Sequence, residues 1–285
     1  MIDKSASLSN DVLAIVDGKG TEYPNTGAYN CTADQGTYLC RRCGLALFRS
    51  SDKFLSSCGW PSFDDEIADS IKRLTDKDDR RTEILCNRCD AHLGHVFIGE
   101  GLTDKNLRHC VNSGSLDFVT DLKVIDTEEA IVAGGCFWGV EHHLGQIAGV
   151  LKVESGYSGG HVEAPSYSQV CRGRTGHLEA VRVLFDPARC SYEDVLKTFF
   201  EIHDPSQGNG QGPDIGSQYH SAVFCYDDEQ KGTAQKLICI LLAKGLSVAT
   251  KLCPASVFWP ADEGHQAYYQ KNGKQPYCHR RIQRF

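Results

Sequence analysis

Three groups of residues in this chain have the types and spacing to do chemistry. The first is a single thiol in Ala133-Gly134-Gly135-Cys136-Phe137-Trp138-Gly139-Val140-Glu141. The apolar run 130–133 reads as a buried strand, and Phe137, Val140, Leu144 and Ile147 then recur at helical spacing. That puts Cys136 on a strand-to-helix turn, where unpaired N–H groups and the positive end of the helix dipole favour a thiolate. Gly134 and Gly135 permit a tight turn that leaves the sulfur open, and Phe137 and Trp138 offer apolar walls. A buried structural cysteine fits the same spacing. The second group is Cys40-x-x-Cys43 with Cys86-x-x-Cys89. Two such knuckles supply four thiolates for one tetrahedral Zn²⁺, and with every position filled by sulfur the metal is structural and not catalytic; free or redox-active pairs are the alternative. The third group is Ser57-Cys58-Gly59-Trp60-Pro61-Ser62-Phe63, His92-Leu93-Gly94-His95-Val96-Phe97 and Arg108-His109-Cys110-Val111-Asn112-Ser113. A cysteine two residues after an arginine, and near two histidines, has a route to a lowered pKa. Taken singly, Trp60 also fits core packing, and His92 and His95 also fit a place beside the zinc.

These groups require elements to carry them. Residues 1–20 read as a flexible or weakly helical lead-in. From Gly36 to Phe118 the pattern is short strands between turns, clearest at 36–40, 45–49, 81–86 and 107–111, with little helical periodicity; a mainly antiparallel β domain follows. The stretch 120–129 is polar and charged, and the boundary is placed there, giving domains 1–125 and 126–285. In the second half 152–156 is strand-like, a Gly/Ser/Pro-rich loop runs to Ser168, and Leu178 to Phe185 alternates as a central strand. Glu179 lies among its apolar neighbours, where a carboxyl has a raised pKa and stays protonated near neutrality. Ser191 to Asp194 is a capping sequence for a helix to His203. A longer helix spans 227–246, a strand 251–259 and a short helix 265–272. Strands alternating with helices give an α/β sandwich, in α+β two-layer form, ending in an irregular tail. The glycine-rich loop 205–217 is expected to line a site, and the tail around Cys278 to be too polar to pack deeply.

The motifs of the second half resemble those of the A-type methionine sulfoxide reductases from about Ile131 to Cys278. They comprise Gly-Cys-Phe-Trp-Gly-Val-Glu, Gly156 to Gly160, Pro165-Ser166-Tyr167, Gly176-His177-Leu178-Glu179-Ala180, His203-Asp204-Pro205, and Gln211-Gly212-Pro213-Asp214 with Gln218-Tyr219. The resemblance implies that Cys136 is the nucleophile, Cys278 the resolving cysteine and Glu179 the proton donor. Tyr167 and Tyr219 would hold the sulfoxide oxygen, Asp214 would orient the site, and Phe137 and Trp138 would cradle the methyl group. Pro213 replaces the family's usual Asn. Cys171, Cys190, Cys225, Cys239 and Cys253 fall in or near apolar runs and read as spectators; Cys31 has no assigned role.

The first half, roughly Leu13 to Phe118, is similar to the B-type methionine sulfoxide reductases. The resemblance makes Cys110 the nucleophile, Cys58 the resolving cysteine and Trp60 the pocket aromatic, and it matches His92, His95, Arg108 and Asn112 to substrate- and acid-side positions. His109 stands where that family commonly has Tyr or Phe, and Ile98-Gly99-Glu100-Gly101 replaces its usual Asp-Gly-Pro turn.

Composition narrows the class. The chain has 285 residues and a formal charge of −7, against a nucleic-acid binder. No stretch resembles a membrane span, and the polar first ten residues carry no apolar signal region, so the expected location is cytoplasmic. Fourteen cysteines in a reducing compartment point to metal ligation or redox chemistry. The single methionine, Met1, accords with work among oxidants. A sulfoxide sulfur becomes electrophilic once its oxygen is protonated, so the reaction needs a thiolate, an acid and an apolar pocket together. The expected cycle runs through sulfenic acid and disulfide, with thioredoxin or a similar dithiol as reductant, and the two resemblances imply the S epimer for 126–285 and the R epimer for 1–125. A zinc-stabilised redox sensor without turnover and a thiol peroxidase are the rival readings.

Overall fold

A computed structural model describes residues 3–76 and 80–285. Residues 1–2 of the lead-in and 77–79 within the strand-rich stretch lie outside the described residues. The chain divides into two compact units, 3–127 and 128–285.

The first unit opens with a 3₁₀ turn, Lys4–Ser7, and the helix α1 (Asn10–Val16). This lead-in is fastened to the domain, since Leu8 and Val16 are buried in its core. The strands that follow are β1 (Thr37–Cys40), β2 (Ala46–Arg49), β3 (Lys53–Phe54), β4 (Ser62–Phe63), β5 (Ile71–Thr75), β6 (Thr82–Cys86), β7 (His92–Ile98), β8 (Leu107–Val111) and β9 (Leu116–Val119). They form a three-stranded sheet, β2-β1-β9, and a six-stranded sheet, β3-β4-β8-β7-β6-β5. All the pairings are antiparallel. Tyr38, Phe48 and Phe63 meet in the core, the two phenylalanines stacked at 4.4 Å.

The second unit is mixed α/β. Its strands are β10 (Glu128–Gly134), β11 (Val150–Ser158), β12 (Leu178–Phe185), a hairpin of β13 (Gly210–Gln211) and β14 (Asp214–Ile215), β15 (Ser221–Cys225), β16 (Lys251–Pro254) and β17 (Trp259–Pro260). Its helices are α2 (Phe137–Leu144), α3 (Tyr167–Cys171), α4 (Tyr192–Ile202), α5 (Asp228–Ala243) and α6 (Tyr268–Asn272). The six-stranded sheet has the order β16-β15-β10-β12-β11-β17, parallel only at β15/β16. Alternation along β10 explains its two environments. Ala130 and Val132 join Val140, Leu144, Val195, Phe199 and Leu237 from the helices, while Ile131 and Ala133 join Ala180, Phe224 and Phe258 in a smaller cluster. Ser191 and Asp194 form a reciprocal capping box that starts α4.

Several expectations change. The expected strand 251–259 is two strands on opposite edges of the sheet. The loop to Ser168 ends in α3, whose Ser166 and Gln169 cap each other. The glycine-rich loop contains the β13/β14 hairpin and buries Gln211. The tail is largely exposed, as its polarity implies, but one side chain within it, His279, is buried. Its ring lies against Gly139 of α2, where any Cβ would collide with it.

Candidate active sites

In the second unit Cys136 is the N-cap residue of α2 and is buried. The turn before it needs Gly135, whose φ is +93° and whose absent Cβ makes room for the Gln211 side chain. Gln211 in turn accepts a hydrogen bond from the Asp204 N–H at 3.2 Å. His203 bonds the Phe199 carbonyl at 2.6 Å and the Ser221 hydroxyl at 2.8 Å. Burial pushes that imidazole down to about 3, so it stands neutral behind the turn. The His-Asp-Pro and Gln-Gly-Pro-Asp motifs thus hold the Cys136 turn from behind.

Glu179, on the interior strand β12, is buried and accepts the Phe137 N–H at 3.1 Å through Oε2. Oε1 makes no hydrogen bond to the protein. Burial pushes this carboxyl up to about 8, against the Phe137 N–H, which lowers it. At neutral pH it is a neutral acid with one free oxygen beside the thiol. The phenols of Tyr157, Tyr167 and Tyr219 are raised, by burial first and then by the Glu179 charge, except that Cys171 intervenes as the second cause at Tyr167. Tyr157 pairs directly across from Glu179 in the sheet, and sequence reasoning did not single it out. Phe137, Trp138 and Tyr167 form an aromatic wall. Trp138 stacks on Tyr268 at 3.8 Å, and His265, also missed from sequence, lies against Tyr167 at 4.3 Å. Asp214 accepts the Tyr277 hydroxyl at 2.7 Å, tying the hairpin to the tail.

Cys278 stands close enough to Cys136 for each thiol to shift the other. The Cys278 contact and then burial hold Cys136 well above the usual thiol range. The same contact, opposed by burial and helped by His279, draws Cys278 down to about 6. Of the expected spectators Cys190 and Cys225 are buried, but Cys171 and Cys239 are exposed, and Cys171 stands within reach of the Tyr167 hydroxyl.

In the first unit Cys110 sits on β8 with Cys58 at 3.7 Å, sulfur to sulfur. Burial, then the Cys58 charge, pushes Cys110 up to about 12, with Arg108 opposing. Cys58 is also burdened by burial, but the Ser56 and Ser62 hydroxyls hold it below the usual range; Ser56 Oγ is 2.9 Å from its sulfur. A cavity of about 120 Å³ is lined by Thr21, Trp60, Arg81, His95, Cys110 and Asn112, among others. Four expected residues therefore converge there. His95 Nε2 meets Asp76 at 2.9 Å, and Asp76 pairs with Arg81 at 2.8 Å; neither partner was singled out from sequence. His92 and Arg108 do not line the cavity. His92 is buried and bonded to Glu83 at 2.7 Å. Arg108 is held by both carboxylate oxygens of Glu100, at 2.7 and 2.9 Å, and lies over the Phe97 ring at 4.4 Å. Asn112 accepts the Glu22 N–H at 3.1 Å, and the Trp60 indole donates to the Glu22 carbonyl at 3.1 Å, so the segment after α1 closes the cavity. His109 points away from the cavity, buried between Glu66 at 2.5 Å and the Phe63 carbonyl at 3.2 Å.

The sulfurs of Cys40, Cys43, Cys86 and Cys89 all lie within 4.8 Å of one another. The knuckles repeat one geometry: Gly44 N–H to the Cys40 carbonyl at 2.7 Å, and Asp90 N–H to the Cys86 carbonyl at 3.0 Å. Metal–sulfur bonds of about 2.3 Å in a tetrahedron require sulfurs about 3.8 Å apart. The Cys40–Cys89 and Cys43–Cys86 pairs stand at 3.6 Å. The cluster is thus compatible with a structural metal held by four thiolates.

Residues 128–285 match the family described as peptide methionine sulfoxide reductase, and residues 8–120 match the SelR domain. A peptide methionine sulfoxide reductase MsrA of Acinetobacter baumannii (strain AYE) is 47% identical over 151 residues, covering 53% of this chain and 87% of that protein. The MsrA of Deinococcus radiodurans is 50% identical over 154 residues, covering 53% and 75%. The crystal structure of reduced Mxr1 from Saccharomyces cerevisiae matches with a TM-score of 0.52 at 32% identity, over 56% of this chain and 93% of that one. Among the described residues no helix is long and apolar enough to cross a membrane. The chain belongs to the peptide methionine sulfoxide reductase family, with a B-type SelR domain preceding its A-type domain.

Proposed function

We propose that the two units divide the epimers of methionine sulfoxide between them, residues 126–285 reducing the S epimer and residues 1–125 the R epimer. The observation that carries this reading is the repetition of one set of parts in two unrelated frames. Each unit holds a nucleophile-position cysteine with a second cysteine in reach, an acid-bearing side chain and an aromatic wall. A chiral sulfur presents its oxygen to only one of two differently arranged pockets.

In the second unit the substrate methyl group faces Phe137 and Trp138. Glu179 gives its proton to the sulfoxide oxygen, held by Tyr167 and Tyr219, with Asp214 fixing the hairpin and tail. The Cys136 sulfur, its proton passing to Cys278, attacks the sulfoxide sulfur beside the Trp138 N–H at the start of α2. Methionine leaves and the oxygen stays on Cys136 as sulfenic acid. Cys278 attacks that sulfur, water departs and a disulfide remains. In the first unit Cys110 attacks, His95 supplies the proton side, Trp60 receives the methyl, Asn112 shapes the cavity floor, His92 and Arg108 support from behind, and Cys58 resolves. A dithiol protein such as thioredoxin reduces each disulfide by exchange. One Zn²⁺ on Cys40, Cys43, Cys86 and Cys89 is structural. The cytoplasm, where such reductants work, is the proposed location.

The test maps the first oxidised product. One equivalent of a single epimer is added to reduced protein, followed by acid quench and peptide mass mapping. The S epimer is expected to give the Cys136–Cys278 disulfide, and the R epimer Cys58–Cys110. Either epimer oxidising both pairs, or neither, contradicts the proposal.

A further inference from the structure

Of the buried imidazoles that the cycle above does not use, His279 is one that touches a reacting sulfur. His279 follows Cys278 directly, and its Nδ1 lies 3.1 Å from the Cys278 Sγ. Its Nε2 lies 2.7 Å from the Gly134 carbonyl, so Nε2 carries a proton and donates it there. With Nε2 a donor, Nδ1 of the neutral ring is an acceptor aimed at the thiol. Gly134 belongs to the turn that presents Cys136. The same ring therefore spans the strand end before the nucleophile and the resolving sulfur, 145 residues apart for the bond to Gly134. Gly135 and Gly139 leave the space that it occupies.

We infer that His279 is a catalytic acid–base residue for the resolving step of the S-epimer cycle. Resting on the function proposed above, the step balances without further reactants. Nδ1 takes the proton of the Cys278 thiol, and the resulting thiolate attacks the sulfur of Cys136 sulfenic acid. The S–S bond forms as the S–OH bond breaks, and the imidazolium returns its proton to the departing hydroxyl, which leaves as water. The sulfenic sulfur of Cys136 is reduced as the thiol sulfur of Cys278 is oxidised, both ending at the disulfide level, and the oxygen that came from the sulfoxide is carried off as water. The titratable groups facing the pair are Cys136, Glu179, Asp214 and the phenols of Tyr269 and Tyr277, together with His143, whose Nε2 is 3.4 Å from the His279 carbonyl, and the neutral His203. Burial first, and then the carboxylate charge of Asp214, work against a Cys278 thiolate, and the His279 contact opposes both.

The test follows one turnover of the full-length protein with a Met-S-sulfoxide peptide, reading methionine release and Cys136–Cys278 disulfide formation separately, with the sulfenic acid trapped by dimedone. In wild type the disulfide is expected to form at a rate nearly flat from pH 7 to 9. In His279→Asn and His279→Ala, disulfide formation at pH 7 should fall about 10- to 100-fold relative to methionine release in the same variant, and dimedone adduct should accumulate. The loss should shrink as pH rises through the ordinary thiol range, and added imidazole should restore the rate in His279→Ala. A tail that had merely come loose would show neither the pH recovery nor the rescue, and that result overturns the inference, as does an unchanged ratio. Failure of the proposed function is a different result, because wild type itself would then release no methionine. In that case the cycle falls, and the rate of Cys278 alkylation against pH reads the proton transfer by itself: a midpoint that rises in His279→Asn keeps His279 as the base that activates Cys278, and an unmoved midpoint overturns that as well.

Discussion

Glu179 carries the most testable residue-scale chemistry. Its carboxyl is neutral until about pH 8 because burial disfavours the charge, so S-epimer turnover is expected to fall as pH rises through about 8. Glu179→Gln, which keeps the hydrogen bond but carries no proton to give, should lose about 100-fold or more in kcat at pH 7. The same shift has a stability consequence. The folded pKa lies above the unfolded one, so the folded state holds a proton that the unfolded chain releases, and stability declines as pH rises from about 4.3 towards 8. Glu179→Gln should flatten that decline in a thermal melt taken at pH 5 and pH 8. In the first unit Glu100 is the residue to change. It clamps Arg108 on two oxygens, and Arg108 favours the Cys110 thiolate against burial and the Cys58 charge. Glu100→Gln should lower R-epimer kcat/KM by about 3- to 10-fold in steady-state assays and leave the S epimer untouched. Most chemical residues were legible in the sequence because their motifs are local: Cys136 between a strand and a helix, Cys110 after Arg108. Asp76, Arg81, Tyr157 and His279 were not, because each reaches its site by pairing across strands or along the tail, which spacing does not report.

At the scale of elements, the strand ends matter most. β10 ends at Gly134, α2 begins at Phe137, and the two glycines around Cys136 admit side chains from remote segments. Gly139→Ala isolates this. The added methyl should favour α2 by about 0.5–1 kcal/mol, yet it meets the His279 ring and lifts the tail. Rapid-quench disulfide mapping should then show resolution by Cys278 slowed about tenfold or more, with methionine still released in the first turnover. Periodicity revealed the long elements, β10, β12, α4 and α5. It failed where hydrophobic runs continue through a change of partner: 251–259 reads as one strand, but Pro254 ends its ladder and Trp259 pairs on the far edge. The tail is exposed as its polarity implies, and the exception within it is His279, an imidazole with both nitrogens bonded, which hydropathy does not register.

Across the whole molecule, two compact units with separate cores imply separable stabilities and activities. The four-cysteine cluster belongs to the first unit alone. If the cluster holds the proposed zinc, a strong chelator should release about one equivalent of it. That treatment, or Cys40→Ser, should abolish R-epimer turnover and lower the melting transition of that unit, while S-epimer turnover persists. The measurement that tests the account most directly gives each purified epimer to wild type, Cys136→Ser and Cys110→Ser with a dithiol reductant and follows steady-state methionine formation. The account predicts that Cys136→Ser loses the S epimer and keeps the R epimer, and that Cys110→Ser does the reverse. Loss of both epimers on either change, or of neither, would contradict it.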